Sequence, residues 1–207
     1  MFPKVYPITD LEIARVSHAD QISLLADGGA TFIQLREKNL SPLDFYNEAQ
    51  AALAIARQKG VTVIINDRVD VALALGAPGV HLGQDDLPPD AARKLLGNDA
   101  ILGYSTHNVA QAIAAAALPL DYIAIGPIFQ TGTKANPDPV VGLDGLRAVR
   151  KAIGDKRLVA IGGIMQENAA SAIDAGADAV AVISALLSGG PTAISDRYRS
   201  LSRILPL

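Results

Sequence analysis

Short apolar runs of strand length alternate along the whole chain with alanine-rich segments of helical period. The strand candidates are residues 5–8, 31–35, 61–65, 80–82, 101–104, 122–125, 158–161 and 179–183. Between and after them the period predicts helices over 19–27, 42–59, 69–75, 89–96, 109–118, 143–153, 167–175 and 191–203. The best-marked start is Ser41-Pro42, a capping hydroxyl followed by proline at the first helical position, and that helix closes on Lys59-Gly60. Asp27-Gly28-Gly29-Ala30, Leu75-Gly76-Ala77-Pro78-Gly79 and Ala175-Gly176-Ala177-Asp178 each end a helix and lead straight into a strand. Eight βα units with such short returns predict one (β/α)8 barrel over residues 1–207.

Composition narrows this picture. Half of the 207 residues are hydrophobic but only 4% are aromatic, so Ala, Val, Ile and Leu are expected to fill the contacts between helices and sheet. A net charge of −3 gives no general basic field, which argues against nucleic-acid backbone binding while leaving room for a local anion pocket. With no cysteine there is no disulfide, thiolate metal site or cysteine nucleophile. Met1–Pro7 lacks a secretory pattern and no apolar run is long enough to span a bilayer, so the expected location is cytoplasmic, with no membrane partner.

Unusual polar clusters fall at the C-terminal ends of the strand candidates, where barrels of this kind carry their chemistry. In Gln34-Leu35-Arg36-Glu37-Lys38 the period of two puts Gln34, Arg36 and Lys38 on one face, a set suited to a multiply charged phosphate. The competing interpretation is that Arg36 and Glu37 only pair with loop neighbours. Asn66-Asp67-Arg68 and His81-Leu82-Gly83-Gln84-Asp85-Asp86 end the next two strands, and their carboxylates beside those cations fit Mg²⁺ held partly by substrate oxygens. The competing role for these aspartates is helix capping. Ser105-Thr106-His107-Asn108 supplies hydroxyls without a nucleophile-elbow pattern, and His107 is a candidate acid or base. His18 is expected at the surface and His81 as structural or as support behind the site.

The long excursion over residues 126–142 contains Gln130-Thr131-Gly132-Thr133-Lys134, which by itself fits either a small anion clamp or a solvated turn, and the excursion reads as a cover for the site. Gly162-Gly163 after the seventh strand and Ile183-Ser184 after the eighth can cradle a phosphate with backbone N–H groups.

As an ordered set, the motifs Gln34–Lys38, Ile65-Asn66-Asp67-Arg68, His81–Asp86, Ser105-Thr106-His107, Gly126-Pro127-Ile128-Phe129 with Thr131–Lys134, Gly162-Gly163 and Val182-Ile183-Ser184 resemble the thiamine phosphate synthase family over nearly the whole chain. The resemblance implies joining a hydroxymethylpyrimidine diphosphate to a thiazole phosphate, with release of pyrophosphate, and of CO2 where the thiazole is carboxylated. It implies pyrimidine diphosphate contacts at Gln34, Leu35, Arg36, Glu37, Lys38, Asn66, Ser105 and Lys134, with Arg36, Lys38, Ser105 and Lys134 catalytic. It further implies thiazole phosphate contacts at Thr131, Gly132, Thr133, Gly162, Gly163, Ile183 and Ser184, and one Mg²⁺ per subunit on Asp67 and Asp86. The mechanism implied is dissociative: the diphosphate leaves first, and the thiazole nitrogen captures the pyrimidine-stabilised carbocation, with no protein nucleophile.

Asp85 stands where glutamate is more often expected, and Gly132 where a bulkier residue is. A thiazole tautomerase on the same barrel, using His107, and a phospholigand sensor without turnover are the rival readings. The acidic and basic cluster favours the synthase. The expected partners are the two small-molecule substrates, with a homo-oligomer left open.

Overall fold

The computed structural model describes residues 2–132 and 138–205. Eight parallel strands form one sheet in the order β1-β8-β7-β6-β5-β4-β3-β2. They are β1 Val5–Pro7, β2 Phe32–Leu35, β3 Thr62–Asn66, β4 Gly79–Leu82, β5 Ile101–Thr106, β6 Tyr122–Ile125, β7 Leu158–Ile161 and β8 Ala179–Val182. A single bridge between Ile8 and Gln34, with the Thr9 N–H donating to the Gln34 carbonyl at 2.9 Å, joins β1 to β2 and closes the (β/α)8 barrel.

The helices alternate with the strands: α1 Leu11–Ala14, α2 His18–Asp27, α3 Pro42–Lys59, α4 Val69–Leu75, α5 Pro89–Leu96, α6 Val109–Ala116, α7 Gly142–Ile153, α8 Ala169–Asp174, α9 Ser184–Leu187 and α10 Ile194–Ile204. The Ser41 hydroxyl caps α3 by accepting from the Asp44 N–H, with Pro42 at the first position, as the sequence predicts. Two departures have local causes. Four-residue α1 is too short to show a period and exists because Asp10 caps the Ile13 N–H. The last helix begins only at Ile194, because Pro191–Ala193 forms a 3₁₀ turn.

Strand alternation builds two cores. Outward residues such as Val63, Ile65, Val80, Leu82, Ile123 and Leu158 pack with helix residues such as Ala49, Ala52, Val149 and Leu201. Inward residues Tyr6, Ile8, Phe32, Ile64, Tyr122, Ala124, Val159, Ala179 and Ala181 fill the barrel itself. The scarce aromatic rings are thus not spread thin. Phe2, Tyr6, Phe32 and Tyr122 meet at centroid separations of 4.7 to 6.5 Å, and the Arg157 guanidinium sits 4.9 Å from the Phe2 ring.

The turns at the opposite end from the strand termini carry more than glycine. Arg93 pairs with Asp121 at 2.9 Å while Asp121 accepts the Leu102 N–H at 2.8 Å. Two βα units later Arg150 pairs with Asp178 at 2.5 Å while Asp178 accepts the Leu158 N–H at 2.7 Å. Each aspartate just before a strand therefore ties that strand to the one before it. No helix among the described residues is long and apolar enough to cross a membrane.

Candidate active site

The C-terminal strand ends open into a cavity of about 670 Å³. Parity decides which residues of each strand reach it. After β2, Gln34, Arg36 and Lys38 line the cavity. The intervening Leu35 and Glu37 do not: Leu35 is fully buried in the outer core, and Glu37 accepts from the N–H groups of Lys38, Asn39 and Leu40, folding the loop on itself. Their side chains thus do not line the cavity, as the strand period requires. Arg36 is positioned by Asp10, its Nη1 lying 2.9 Å from Asp10 Oδ2.

Asn66, at the end of β3, is buried and lines the cavity, and its Nδ2 has no hydrogen-bond partner among the described residues. An orphan donor facing a cavity is costly unless a ligand accepts from it. Asp67 follows with φ at +62°, a left-handed backbone that turns its carboxylate inward to pair with Lys38. Burial pushes the Asp67 carboxyl up from its ordinary range, Lys38 opposes this, and the adjoining Asp86 raises it further. Asp67 does not cap α4, whose cap position is Arg68 with no side-chain bond, and Asp86 instead accepts the Gly83 N–H at 2.6 Å. Two carboxylates held side by side at the cavity wall, with hard oxygen donors, fit a divalent cation that takes its other ligands from substrate and water. Asp85 also lines the cavity, but among the described residues no group of three acidic or histidine side chains converges.

Ser105, on β5, is bonded from beneath by His81, with Oγ and Nε2 at 2.8 Å. His81 is 6% exposed, and burial depresses its pKa to about 4, so it is neutral at physiological pH. His107 lines the cavity, its Nδ1 lying 2.9 Å from the Gly126 carbonyl oxygen and 3.4 Å from Asp138. His18 is not at the surface. It is wholly buried, 2.8 Å from Thr9 Oγ1 and 3.6 Å from Glu37, and burial lowers its pKa despite Glu37 and Glu48.

On the far side, Gly162, Gly163, Ile183, Ser184 and Thr131 line the same cavity. Gly162 and Gly163 have φ of +96° and +66°, and a Cβ on them would fall 2.5 Å from Pro127 Cβ and 2.4 Å from the Gln130 carbonyl. Only glycine lets this turn pass under the loop after β6. Ser184 begins α9, whose first N–H groups have no acceptor within the helix. Gly132 borders a neighbouring cleft of about 490 Å³ that shares Thr131 with the main cavity. Thr133 and Lys134 lie outside the described residues.

Tyr6, Tyr122 and Asp10 belong to the site or its support and went unmarked in the sequence. Their one signal is polarity within or just after an apolar strand run, which demands a partner once buried.

Residues 5–186 match the thiamine monophosphate synthase family. The thiamine-phosphate synthase of Chloroflexus aurantiacus is 46% identical over 200 residues, covering 96% of this chain and 92% of that protein. That of Koribacter versatilis is 48% identical over 192 residues, covering 89% of each. The solved thiamine phosphate pyrophosphorylase of Pyrococcus furiosus superposes with a TM-score of 0.85 at 32% identity, covering 97% of this chain and 94% of that one. Match length, identity and shared architecture agree, and the chain belongs to the thiamine monophosphate synthase family.

Proposed function

We propose that the chain is a thiamine phosphate synthase, transferring the methylene of a hydroxymethylpyrimidine from diphosphate to the ring nitrogen of a thiazole phosphate. The observation that carries the reading is one cavity with two chemically different ends. Arg36, Lys38, Asn66, Asp67 and Asp86 lie on the β2 to β4 side, and Gly162, Gly163 and Ser184 lie across the barrel at β7 and β8. A diphosphate with a divalent cation suits the first, and a phosphate monoester suits the second.

In the reaction the C–O bond to the diphosphate breaks, pyrophosphate leaves with the electron pair, and the thiazole nitrogen supplies the pair for the new C–N bond. Arg36, preset by Asp10, and Lys38 hold negative charge that grows on the leaving group, and Asn66 Nδ2 donates to a substrate acceptor. Ser105 bonds the pyrimidine. Lys134 adds a further cation, and Thr131 and Thr133 join the glycine pair at the monophosphate. Asp67 and Asp86 would hold Mg²⁺, which supplies charge neutralisation for the diphosphate when bound. Alignment of two substrates in one cavity does the rest, so no nucleophile or strong base is required. Two phosphorylated, water-soluble substrates accord with the expected cytoplasmic location. A tautomerase acting on the thiazole phosphate alone would have no use for the acidic and basic wall.

Incubation of purified protein with both substrates and Mg²⁺ tests the proposal. Thiamine phosphate and pyrophosphate should appear in equal amounts. Their absence above a protein-free control would overturn it, and conversion of the thiazole phosphate by itself would point to the tautomerase.

A further inference from the structure

Five polar side chains form an unbroken chain through the barrel interior. Gln34 Nε2 donates to Tyr6 Oη at 3.1 Å, and the Tyr6 and Tyr122 hydroxyl oxygens are 2.9 Å apart. Tyr122 Oη is 3.0 Å from His81 Nδ1, and His81 Nε2 is 2.8 Å from Ser105 Oγ. Tyr6, Tyr122, Gln34 and His81 are all buried, and Gln34, Tyr6, His81 and the less buried Ser105 line the cavity. The His81 and Tyr122 rings also stack, with centroids 5.5 Å apart at 21°.

Each hydroxyl in such a chain has one hydrogen and can accept two, so the requirement that every buried hydrogen find an acceptor within the chain lets the direction of the first bond set all the others. With Gln34 donating to Tyr6, the Tyr6 hydrogen goes to Tyr122 and the Tyr122 hydrogen to His81 Nδ1. A neutral imidazole then carries its single hydrogen on Nε2, and Ser105 must accept it. The Ser105 hydrogen is left for the cavity. Turning the Gln34 amide over would reverse every link, protonate Nδ1 and make Ser105 spend its hydrogen on His81.

We propose that Gln34, Tyr6, Tyr122 and His81 form a one-way hydrogen-bond relay that holds His81 as the Nε2–H tautomer and presents the Ser105 hydroxyl as a donor to a ring nitrogen of the first substrate. This rests on the synthase reading for the identity of the acceptor. Tyr6, Tyr122 and His81 are positioning residues, since none has to touch the reacting atoms. The neutral imidazole also keeps positive charge away from the wall against which a carbocation would form. The deep burial of both tyrosines keeps their hydroxyls protonated, which the relay requires.

The test has two arms. Long-range ¹H–¹⁵N correlation spectra of the ligand-free protein at neutral pH, with His81 identified by the loss of its signals in His81→Gln, report which nitrogen is protonated. Protonation on Nε2 is expected, and an Nδ1–H tautomer or an imidazolium would overturn the relay whatever the protein's activity. The second arm compares Tyr122→Phe, Ser105→Ala and the double variant by steady-state kinetics. Tyr122→Phe should lower kcat about tenfold with the KM for thiazole phosphate unchanged, the loss of one oriented hydrogen bond. In the double variant the two losses should fall short of multiplying. Fully multiplicative losses would overturn the coupling. Failure of the synthase reading would leave no turnover to compare, while the tautomer arm would still decide the relay.

Discussion

Gly103 makes the barrel interior sensitive to a single methyl group. A Cβ placed on it would lie 2.1 Å from Tyr122 Cζ, 2.4 Å from Tyr122 Oη and 2.6 Å from His81 Nδ1. Its backbone is ordinary strand, so Gly103→Ala carries no conformational penalty and the damage is steric. Carbon atoms pack at about 3.5 Å or more, so the Tyr122 ring has to retreat by over about 1 Å. That motion breaks its bonds of 3.0 Å to His81 and 2.9 Å to Tyr6. Overpacking costs about 1–3 kcal/mol, and stranding buried polar groups costs about 1–3 kcal/mol each. With two bonds broken these terms sum to at least about 3 kcal/mol, and their lower half, about 3–6 kcal/mol, is already a large share of the roughly 5–15 kcal/mol that stabilises a typical protein. At a urea m-value of about 2 kcal/mol/M, the unfolding midpoint followed by circular dichroism should fall by about 1.5–3 M. Gly132→Ala is the control, because its Cβ would meet nothing within 4 Å among the described residues. A Gly103→Ala midpoint within about 0.3 M of the parent would refute the packing argument.

Two further outcomes follow from the site. Asp67→Asn keeps a residue that tolerates the left-handed backbone at φ +62° while removing the charge, so folding should change by less than about 1 kcal/mol and Mg²⁺-dependent turnover should drop at least about tenfold. An unaltered Mg²⁺ titration curve would remove Asp67 from the metal site. His81 has a folded pKa of about 4, below the roughly 6.5 of the unfolded chain, so the unfolded state binds the proton more readily. Its contribution is complete above pH ~6.5 and is lost as pH falls toward ~4, by up to about 3 kcal/mol, with His18 acting in the same direction. Urea midpoints across that window should fall less steeply in His81→Gln, and parallel slopes would contradict the assignment.

Much of the site was legible because the barrel reduces to parity and position. A period of two places Gln34, Arg36 and Lys38 together, and the same rule sends Leu35 to the outer core and turns Glu37 away. Those two were included only because family motifs are contiguous while strand faces alternate. His18 was expected at the surface, ahead of a helix over 19–27; it is instead the first residue of α2, and its contacts with Thr9 and Glu37 bury it. The aromatic interior was invisible for a different reason. Tyr6 and Tyr122 lie in runs that are apolar on both faces, where no periodic contrast marks the inner one. The Arg93–Asp121 and Arg150–Asp178 ties link residues 28 apart in sequence and leave no local signature.

The seam of the barrel also dictates when the molecule can be completed. β1 touches β2 through one bridge, but its register pairs Val5 with Val180, Tyr6 with Ala181 and Pro7 with Val182. Strands β3 to β8 each pair with the strand just before them in sequence, whereas the full register of the first strand is with the last, a pairing of high sequence separation. Until that pairing forms, Tyr6 has no wall on its β8 side. A chain ending before residue 180 therefore lacks the strand that closes the barrel, and the edges of β1 and β7 and the aromatic interior lack the cover that β8 gives them, the kind of surface that exposes a chain to aggregation.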